Sequence, residues 1–221
     1  MNLPKTNELF DLSHTLAAPL LSDAEYPHTV LPKIKDFILE LQKGLPRDEY
    51  TEIKEGVFVA NDAVIDEKAT LLAPTVIGHK TEVRPGAYIR GAVLVGDGAV
   101  IGNSTEIKNA IIFDSVQVPH YNYVGDSILG YRSHFGAGVV ASNFKLDHTN
   151  IKLRSGDEYI DTGLRKFGCM LGDFAEVGCN SVLYPGTVIG RNTLVYPLTS
   201  VRGVITENSI LRNDGTIKER R

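Results

Sequence analysis

A single stretch, TVIGHKTEVRPGAYIRGAVLVGDGAVIGNSTEI at residues 75–107, decides the fold class of this chain. Within it an aliphatic residue returns at every sixth position from Ile77 to Ile107. The same spacing extends upstream, so that ten consecutive members run from Ile53 to Ile107. A small or apolar residue follows each member four positions later, as Thr81 follows Ile77. Helices and strands repeat every 3.6 and 2 residues, so a period of six requires another architecture.

A triangular prism accounts for this period. Each hexapeptide forms one short strand and one corner, three hexapeptides complete a coil, and successive coils stack through parallel backbone hydrogen bonds. The aliphatic residues, Ile53 included, and the small residues between them then point into a narrow interior. A β-sandwich is the alternative, but it predicts alternation with a period of two and irregular spacing. The sequence therefore predicts an all-β fold, a parallel β-helix of hexapeptide repeats.

The repeat returns at residues 171–201, but it slips in between. The steps at 107–112 and 124–129 are one residue short, and the pattern stops after Phe135. A plain scaffold has no reason to lose residues, and distortions of regular β structure occur beside functional sites. The polar residues 142–166 predict a loop or hairpin extruded from the prism, and its turn falls on the sequence SGDE. Long excursions from a compact repeat are usually functional or disordered.

The two ends of the chain differ from the repeat. Residues 31–44, LPKIKDFILELQKG, carry apolar side chains at helical spacing and predict an amphipathic helix. We therefore expect a helical N-terminal arm or cap at residues 1–50 and the β-helix domain at 51–205. A polar tail follows at 206–221.

Composition excludes several classes of protein. The net charge of −4 gives the chain no overall basic character, so we do not expect nucleic acid as a partner. The apolar runs are far shorter than the ~20 residues of a membrane helix, and the N-terminus has no signal-peptide pattern. The two cysteines form neither a disulfide framework nor a zinc spacing. We expect a cytoplasmic protein without a metal site.

An ionisable side chain interrupts the region of slipped spacing. His120, in the stretch VPHYNYVGD at 118–126, follows the repeat position Val118 by two residues. A structural histidine of the prism wall is one interpretation of it. Arg84 and Lys108 each directly follow a repeat residue, where solvated corner residues are also common.

Together these motifs resemble the acetyltransferase domain of the bifunctional glucosamine-1-phosphate acetyltransferase and N-acetylglucosamine-1-phosphate uridylyltransferase family. The resemblance covers roughly residues 53–205 and rests on five short motifs. They are VRPGA at 83–87, EIK at 106–108, HYNYVGD at 120–126, GAG at 136–138 and the pair Asn143-Phe144. Because right-handed crossovers are the general rule, the left hand of the helix is implied by the resemblance alone.

The resemblance implies an N-acetyltransferase of nucleotide-sugar synthesis that uses acetyl-CoA as co-substrate and assembles as a homotrimer. His120 would be the general base that takes a proton from the amine of an amino-sugar 1-phosphate. Five residues would contact that acceptor, Arg84 and Lys108 at its phosphate and Tyr123, Asn143 and, more weakly, Lys152 at its sugar. Ala137 and Cys179 would line the channel for the pantetheine chain of acetyl-CoA.

Departures from the family keep alternatives open. His134 stands where many bacterial members have asparagine, and Phe144 where they have tyrosine, which leaves the acceptor sugar undetermined. No nucleotidyltransferase motif precedes the repeat, so uridylyl transfer is not expected of this chain. An acetyltransferase for another amino sugar and a non-catalytic trimeric binding module remain. A metal-dependent prism enzyme is disfavoured, because no two of the histidines are five positions apart.

Overall fold

A computed structural model describes residues 3–155 and 158–220, and its centre is a left-handed parallel β-helix. Each coil places one short strand on each of three flat faces, as the six-residue period predicts. Parallel neighbours pair in register through the stack; Thr75–Ile77, for example, lies against Val93–Val95. The predicted fold class is confirmed.

The strands divide among three faces that we name the covered, second and third faces. The covered face contains Val57–Ala60, Thr75–Ile77, Val93–Val95, Cys169–Leu171, Thr187–Ile189 and Val204–Ile205. The second face contains Val64–Ile65, Glu82–Val83, Val100–Asn103, Gln117–His120, His134–Phe135, Glu176–Val177, Leu194–Val195 and Ser209–Leu211. The third face contains Thr70–Leu71, Tyr88–Ile89, Val140–Ala141, Val182–Leu183 and Ser200–Val201. Two longer strands, Glu106–Ile112 and Tyr123–Leu129, bend from the third face onto the covered face.

The interior follows the hexapeptide pattern with one correction. Ile77 and Ile101 are fully buried, and so is the small residue Thr81, whose hydroxyl donates to the Gly96 carbonyl oxygen at 2.7 Å. The prediction is wrong for Ile53, whose side chain is 53% exposed. It lies on the strand Tyr50–Lys54, which pairs antiparallel with Val57–Ala60. This strand covers the end of the helix instead of forming a coil, so the six-residue period does not set its orientation.

The opposite end is closed in the same way. Ile217–Glu219 pairs antiparallel with Ser209–Leu211, the last parallel strand of the second face. The regular coils thus continue beyond Ile205, the boundary expected from the sequence. Antiparallel end strands of this kind protect the sheet edges from pairing with other chains.

The N-terminal arm packs along the covered face. It contains α-helices Thr6–Leu9, Ala18–Ser22 and Ile34–Gly44 and the 3₁₀-helices Leu12–His14 and Pro27–Lys33. Five outward side chains of the face beneath it are at most 1% exposed; they are Val76, Leu94, Ile111, Ile128 and Met170. No helix in the described ranges is long and apolar enough to span a bilayer.

Specific contacts fix the arm to the prism. The Phe10 and Phe113 ring centroids lie 5.2 Å apart. The buried Asp173 carboxylate accepts hydrogen bonds from the backbone N–H groups of Asp11 and Tyr131 at 2.7 and 2.8 Å. Burial raises the pKa of Asp173. The arm is therefore part of the folded core.

The excursion between the two runs of coils forms an antiparallel hairpin, Lys152–Ser155 with Glu158–Asp161. It lies against the prism, since Ile151 and Leu153 are fully buried. A Cβ atom on Gly186 would lie 2.7 Å from Ile151 Cγ2, so the hairpin needs glycine at that position. The turn predicted at Gly156 and Asp157 lies outside the described residues.

Candidate functional site

Both shortened steps of the repeat fall at the same edge of the prism, between the third and covered faces. Ile107 pairs with Val124 and Ile112 with Leu129, so the two short corners stack directly on each other. Asn109 and Asp126 form these corners with φ of 46° and 49°. Asparagine and aspartate are enriched in this left-handed conformation. The excursion at 142–168 leaves the prism from this edge one coil later, and we call the edge the loop edge.

A buried carboxylate organises the loop edge. Asp126, whose side chain is 8% exposed, accepts hydrogen bonds from Lys108 Nζ and Asn109 Nδ2, each at 2.9 Å. Asn143 Nδ2 is its third donor. The structure thus brings together two predicted acceptor contacts, Lys108 and Asn143. Asp126 was not among the predicted site residues, although an aspartate in a shortened, left-handed corner was a signal for it.

Tyr123 extends this cluster onto the third face. A Cβ atom on Gly125 would lie 2.6 Å from Tyr123 Oη and 2.7 Å from Asn143 Nδ2, so the glycine makes room for both groups. Burial raises the pKa of Tyr123, and the charge of Asp126 raises it further. The phenol is therefore protonated at neutral pH and can donate a hydrogen bond to a ligand.

A cavity of about 440 Å³ opens beside this cluster. Asp126, Phe144 and Arg165 contribute to its lining, together with Leu31 and Pro32 of the arm. The Asn109 amide also donates to the Leu31 carbonyl oxygen at 3.2 Å. One side chain therefore links the arm to the Asp126 carboxylate.

His120 lies at a different edge, between the second and third faces, and its side chain is exposed. The backbone around it is held firmly. Its N–H donates to Asn122 Oδ1 at 3.1 Å, and its carbonyl oxygen accepts from the Gly138 N–H at 3.0 Å. The buried Asn122 amide in turn donates to the Gly136 carbonyl oxygen at 2.8 Å. A fixed backbone with a solvent-facing imidazole is suited to proton transfer with a ligand.

Ala137 and Cys179 follow His120 on successive coils, and we call this column the histidine edge. The Asn180 N–H donates to the Ala137 carbonyl oxygen at 2.8 Å, which continues the ladder that joins Gly138 to His120. Pro85 and Pro197 occupy the same position in other coils. Proline has no N–H, so coil closure does not need the N–H at this position. The Ala137 and Cys179 N–H groups can therefore donate hydrogen bonds to a ligand.

The coil that carries His120 approaches the preceding coil closely. A Cβ atom on Gly102 would lie only 1.6 Å from the Pro119 carbonyl oxygen. Any larger residue at position 102 would push Pro119 and the adjacent His120 outward. Glycine at this position is thus a condition for the observed placement of His120.

Arg84 and Lys152, the remaining predicted acceptor contacts, do not lie together. Arg84 is on the histidine edge, where it forms an ion pair with Glu82 at 3.0 Å. It is thus separated from Lys108 by the width of the third face. Lys152 lies on the hairpin and is exposed. His134, on the second face, has its pKa lowered by burial, while Glu176 acts in the opposite direction.

Comparison with known proteins identifies the family. The GMPPB C-terminal domain matches residues 71–156. The uncharacterised acetyltransferase YaiX of Escherichia coli O6:K15:H31 is 31% identical over 162 residues, which cover 65% of this chain and 69% of that protein. The chain belongs to the left-handed β-helix acetyltransferases. Among the residues that the structure describes, no group of three His, Cys, Asp or Glu side chains could hold a metal ion.

Other relatives are longer. A bifunctional sugar-1-phosphate nucleotidylyltransferase/acetyltransferase of Sulfurisphaera tokodaii is 31% identical over 150 residues, 68% of this chain and 37% of that protein. The chain thus spans well under half the length of this relative. Among solved structures, PerB of Caulobacter crescentus, in complex with CoA and GDP-perosamine, is 19% identical with a TM-score of 0.37. That match covers 73% of this chain and 56% of PerB.

Proposed function

We propose that this protein is an acetyl-CoA-dependent N-acetyltransferase whose acceptor is the amine of a phosphorylated amino sugar, such as glucosamine 1-phosphate. One observation carries the proposal. The exposed imidazole of His120 lies in register with Ala137 and Cys179 on successive coils. Tyr123 lies on the adjoining third face, next to the Asp126 cluster. A proton acceptor, a donor channel and sugar contacts therefore lie on adjoining surfaces of one chain.

The chemistry assigns a separate task to each group. Acetyl-CoA supplies an activated thioester carbonyl. His120 takes a proton from the acceptor amine, because only a neutral amine attacks a carbonyl carbon. The new C–N bond forms as the C–S bond breaks, the proton held by His120 passes to the departing sulfur, and CoA leaves as the free thiol. Asn122 fixes the backbone that carries the imidazole, and Tyr123 and Asn143 orient the sugar ring through hydrogen bonds.

The phosphate of the acceptor would bind to Lys108 and Arg84. Asp126 keeps the Lys108 ammonium in place by an ion pair at 2.9 Å, and Arg84 can offer a bidentate donor pair. In one chain these two cations lie on opposite edges of the third face. A site that uses both therefore favours an assembly in which edges of neighbouring subunits meet.

We infer a homotrimer in which the histidine edge lies in a subunit interface. This edge exposes three large apolar side chains, with Tyr121 65%, Tyr196 43% and Leu198 71% exposed. Apolar side chains that are exposed together on one surface commonly mark protein interfaces. Light scattering at micromolar concentration should give the mass of three chains, and a monomer would contradict this arrangement.

A thiol-release assay with acetyl-CoA tests the activity itself. The acceptors are glucosamine 1-phosphate, galactosamine 1-phosphate, the two free amino sugars and UDP-glucosamine. We expect CoA release with phosphorylated acceptors and little with the free sugars, which lack the anion for Lys108 and Arg84. Release with none of the acceptors would contradict the proposal and favour a binding module.

A further inference from the structure

A larger cavity of about 660 Å³ lies between the hairpin and the loop edge. Apart from Lys152, the proposed acetyl transfer gives no role to its lining. Its volume is within the range of small-molecule sites, about 300–1,000 Å³. We call it the hairpin groove.

The hairpin groove is strongly cationic although the chain carries a net charge of −4. The charged side chains that line it are Lys145, Lys152, Arg154, Arg202 and Asp147. The Asp147 carboxylate already forms an ion pair with Lys145 at 2.9 Å. The Lys152 and Arg202 cations would attract a ligand with several negative charges, such as a diphosphate.

Aromatic rings lie beside these cations. Tyr159 is 54% and Tyr184 46% exposed, and both line the groove. The Arg202 guanidinium carbon lies 6.0 Å from the centroid of the Tyr184 ring. Exposed aromatic faces with nearby arginine are surfaces on which nucleobases stack. Cations for phosphates and rings for a base together match a nucleoside diphosphate.

The walls of the groove are held in place without a ligand. Leu153 on the hairpin is fully buried. Gly203 allows the hairpin backbone to approach the prism, because a Cβ atom there would lie 2.8 Å from the Arg154 carbonyl oxygen. A preformed groove binds its ligand without the entropic cost of ordering a loop.

The groove is continuous with the proposed acceptor site. Strand register places Lys108, Ser142, Tyr184 and Arg202 in one column of the loop edge. Adjacent strands are about 4.8 Å apart, so Arg202 lies about 19 Å along the edge from Lys108. This distance exceeds the length of a sugar phosphate. Phe144 lines both this groove and the cavity beside Asp126.

We propose that the hairpin groove binds the nucleoside diphosphate part of the acceptor, so that the preferred substrate is a nucleotide-linked amino sugar. The inference rests on the proposed function, which places the sugar beside Tyr123 and Asn143. CoA also carries a diphosphate and a base, and within one chain its proposed channel at Ala137 and Cys179 lies on the other edge of the third face. The test therefore includes CoA as a separate ligand.

Calorimetric titration of the full chain with UDP, dTDP, GDP and CoA tests the proposal. We expect at least one of the three nucleoside diphosphates to bind, and Arg202→Ala to weaken that binding about tenfold or more, since a charge-assisted contact is lost. Arg132→Ala is the matched control. Arg132 is likewise exposed beside a tyrosine, 5.4 Å from the Tyr131 centroid, but lies at another edge. CoA affinity should not change in either variant.

Three results would overturn the proposal. None of the three nucleoside diphosphates binds, Arg202→Ala binds them as tightly as the wild type does, or Arg202→Ala loses affinity for CoA and not for the diphosphates. Acetyl transfer to UDP-glucosamine and to glucosamine 1-phosphate is measured in parallel. Arg202-dependent UDP binding without transfer to any acceptor would contradict the proposed function but leave the groove assignment intact. Transfer to glucosamine 1-phosphate without binding of a nucleoside diphosphate would support the proposed function and contradict the groove assignment.

Discussion

Lys108 and Asn143 donate to the same oxygen atom, Oδ2 of Asp126, although they belong to different coils of the prism. The two shortened corners stack directly on each other at the loop edge, which places these donors from successive coils around one carboxylate. The arrangement fixes an ammonium and an amide beside Tyr123. It explains why the hexapeptide spacing is abandoned at this edge.

Replacing Asp126 tests whether it positions these groups. Asp126→Asn keeps a residue that tolerates φ of 49° but removes the charge that holds Lys108. We expect the KM for a phosphorylated acceptor to rise about tenfold, the effect of losing about 1.4 kcal/mol of binding, with a smaller change in kcat. Steady-state kinetics measure both. Asp214→Asn, at an exposed position of the C-terminal segment, is the control, and an unchanged KM in Asp126→Asn would refute the positioning role.

A second variant probes the placement of His120. Gly102→Ala should push the Pro119–His120 backbone outward, because the added Cβ would lie 1.6 Å from the Pro119 oxygen. We expect kcat to fall at least about tenfold and unfolding free energy to fall by about 1–3 kcal/mol, the usual cost of overpacking. Gly44→Ala is the control, since a Cβ there meets nothing within 4 Å. A folded Gly102→Ala protein with normal turnover would count against this account of the site.

His28 of the arm should make stability depend on pH. Burial lowers its pKa below the usual 6.5, and its ring stacks on Phe167 with centroids 5.6 Å apart. Between the folded and unfolded pKa values the unfolded chain binds more protons, so stability is lost as pH falls below about 6.5. The unfolding midpoint of the wild type should therefore fall more between about pH 7.5 and about pH 5 than that of His28→Phe.

The exposed His148 provides the control for this comparison. His148→Asn should show the same acid sensitivity as the wild type, since its side chain is exposed in the folded state. Equal pH dependence of the wild type and His28→Phe would mean that His28 does not couple arm docking to protonation.

The arm should contribute directly to the stability of the prism. Phe10 is 2% exposed and packs on Phe113, so Phe10→Ala should lower the unfolding free energy by about 3–5 kcal/mol. Leu16→Ala removes an apolar side chain of the same arm that is 40% exposed. It should change stability by less than about 0.5 kcal/mol. Denaturant titration compares the two, and equal effects would show that the arm does not dock as a unit.

Periodicity predicted the prism because burial in a β-helix depends almost entirely on position within the hexapeptide. Ile77 and Ile101 are buried for that reason. Ile53 shares their spacing but lies on an antiparallel end strand, and a period alone does not distinguish the two cases. The amphipathic helix Ile34–Gly44 indicated that one of its sides is buried. It did not indicate which prism face it covers, since that depends on long-range packing.

The site was only partly predictable for a similar reason. The motif around His120 and Tyr123 is local, so its resemblance to a known family can be recognised in the sequence. The role of Asp126 depends on contacts with Lys108 and Asn143, each 17 or 18 positions away. Those contacts follow from the length of a coil, which the shortened corners alter. Counting residues around the coil would place both short steps at one edge, but it would not predict the hydrogen bonds made there.

The central claim is that His120 accepts the proton of the acceptor amine. The most direct measurement is the turnover of His120→Ala across about pH 6–9 with the best acceptor of the panel. The CoA affinity of the variant and the mass of its assembly are measured in parallel. We predict a fall in kcat of about 10²–10⁴, the usual contribution of a general base, with affinity and mass unchanged. Near-normal turnover of His120→Ala throughout this range would contradict the account and leave His120 a residue of the prism wall.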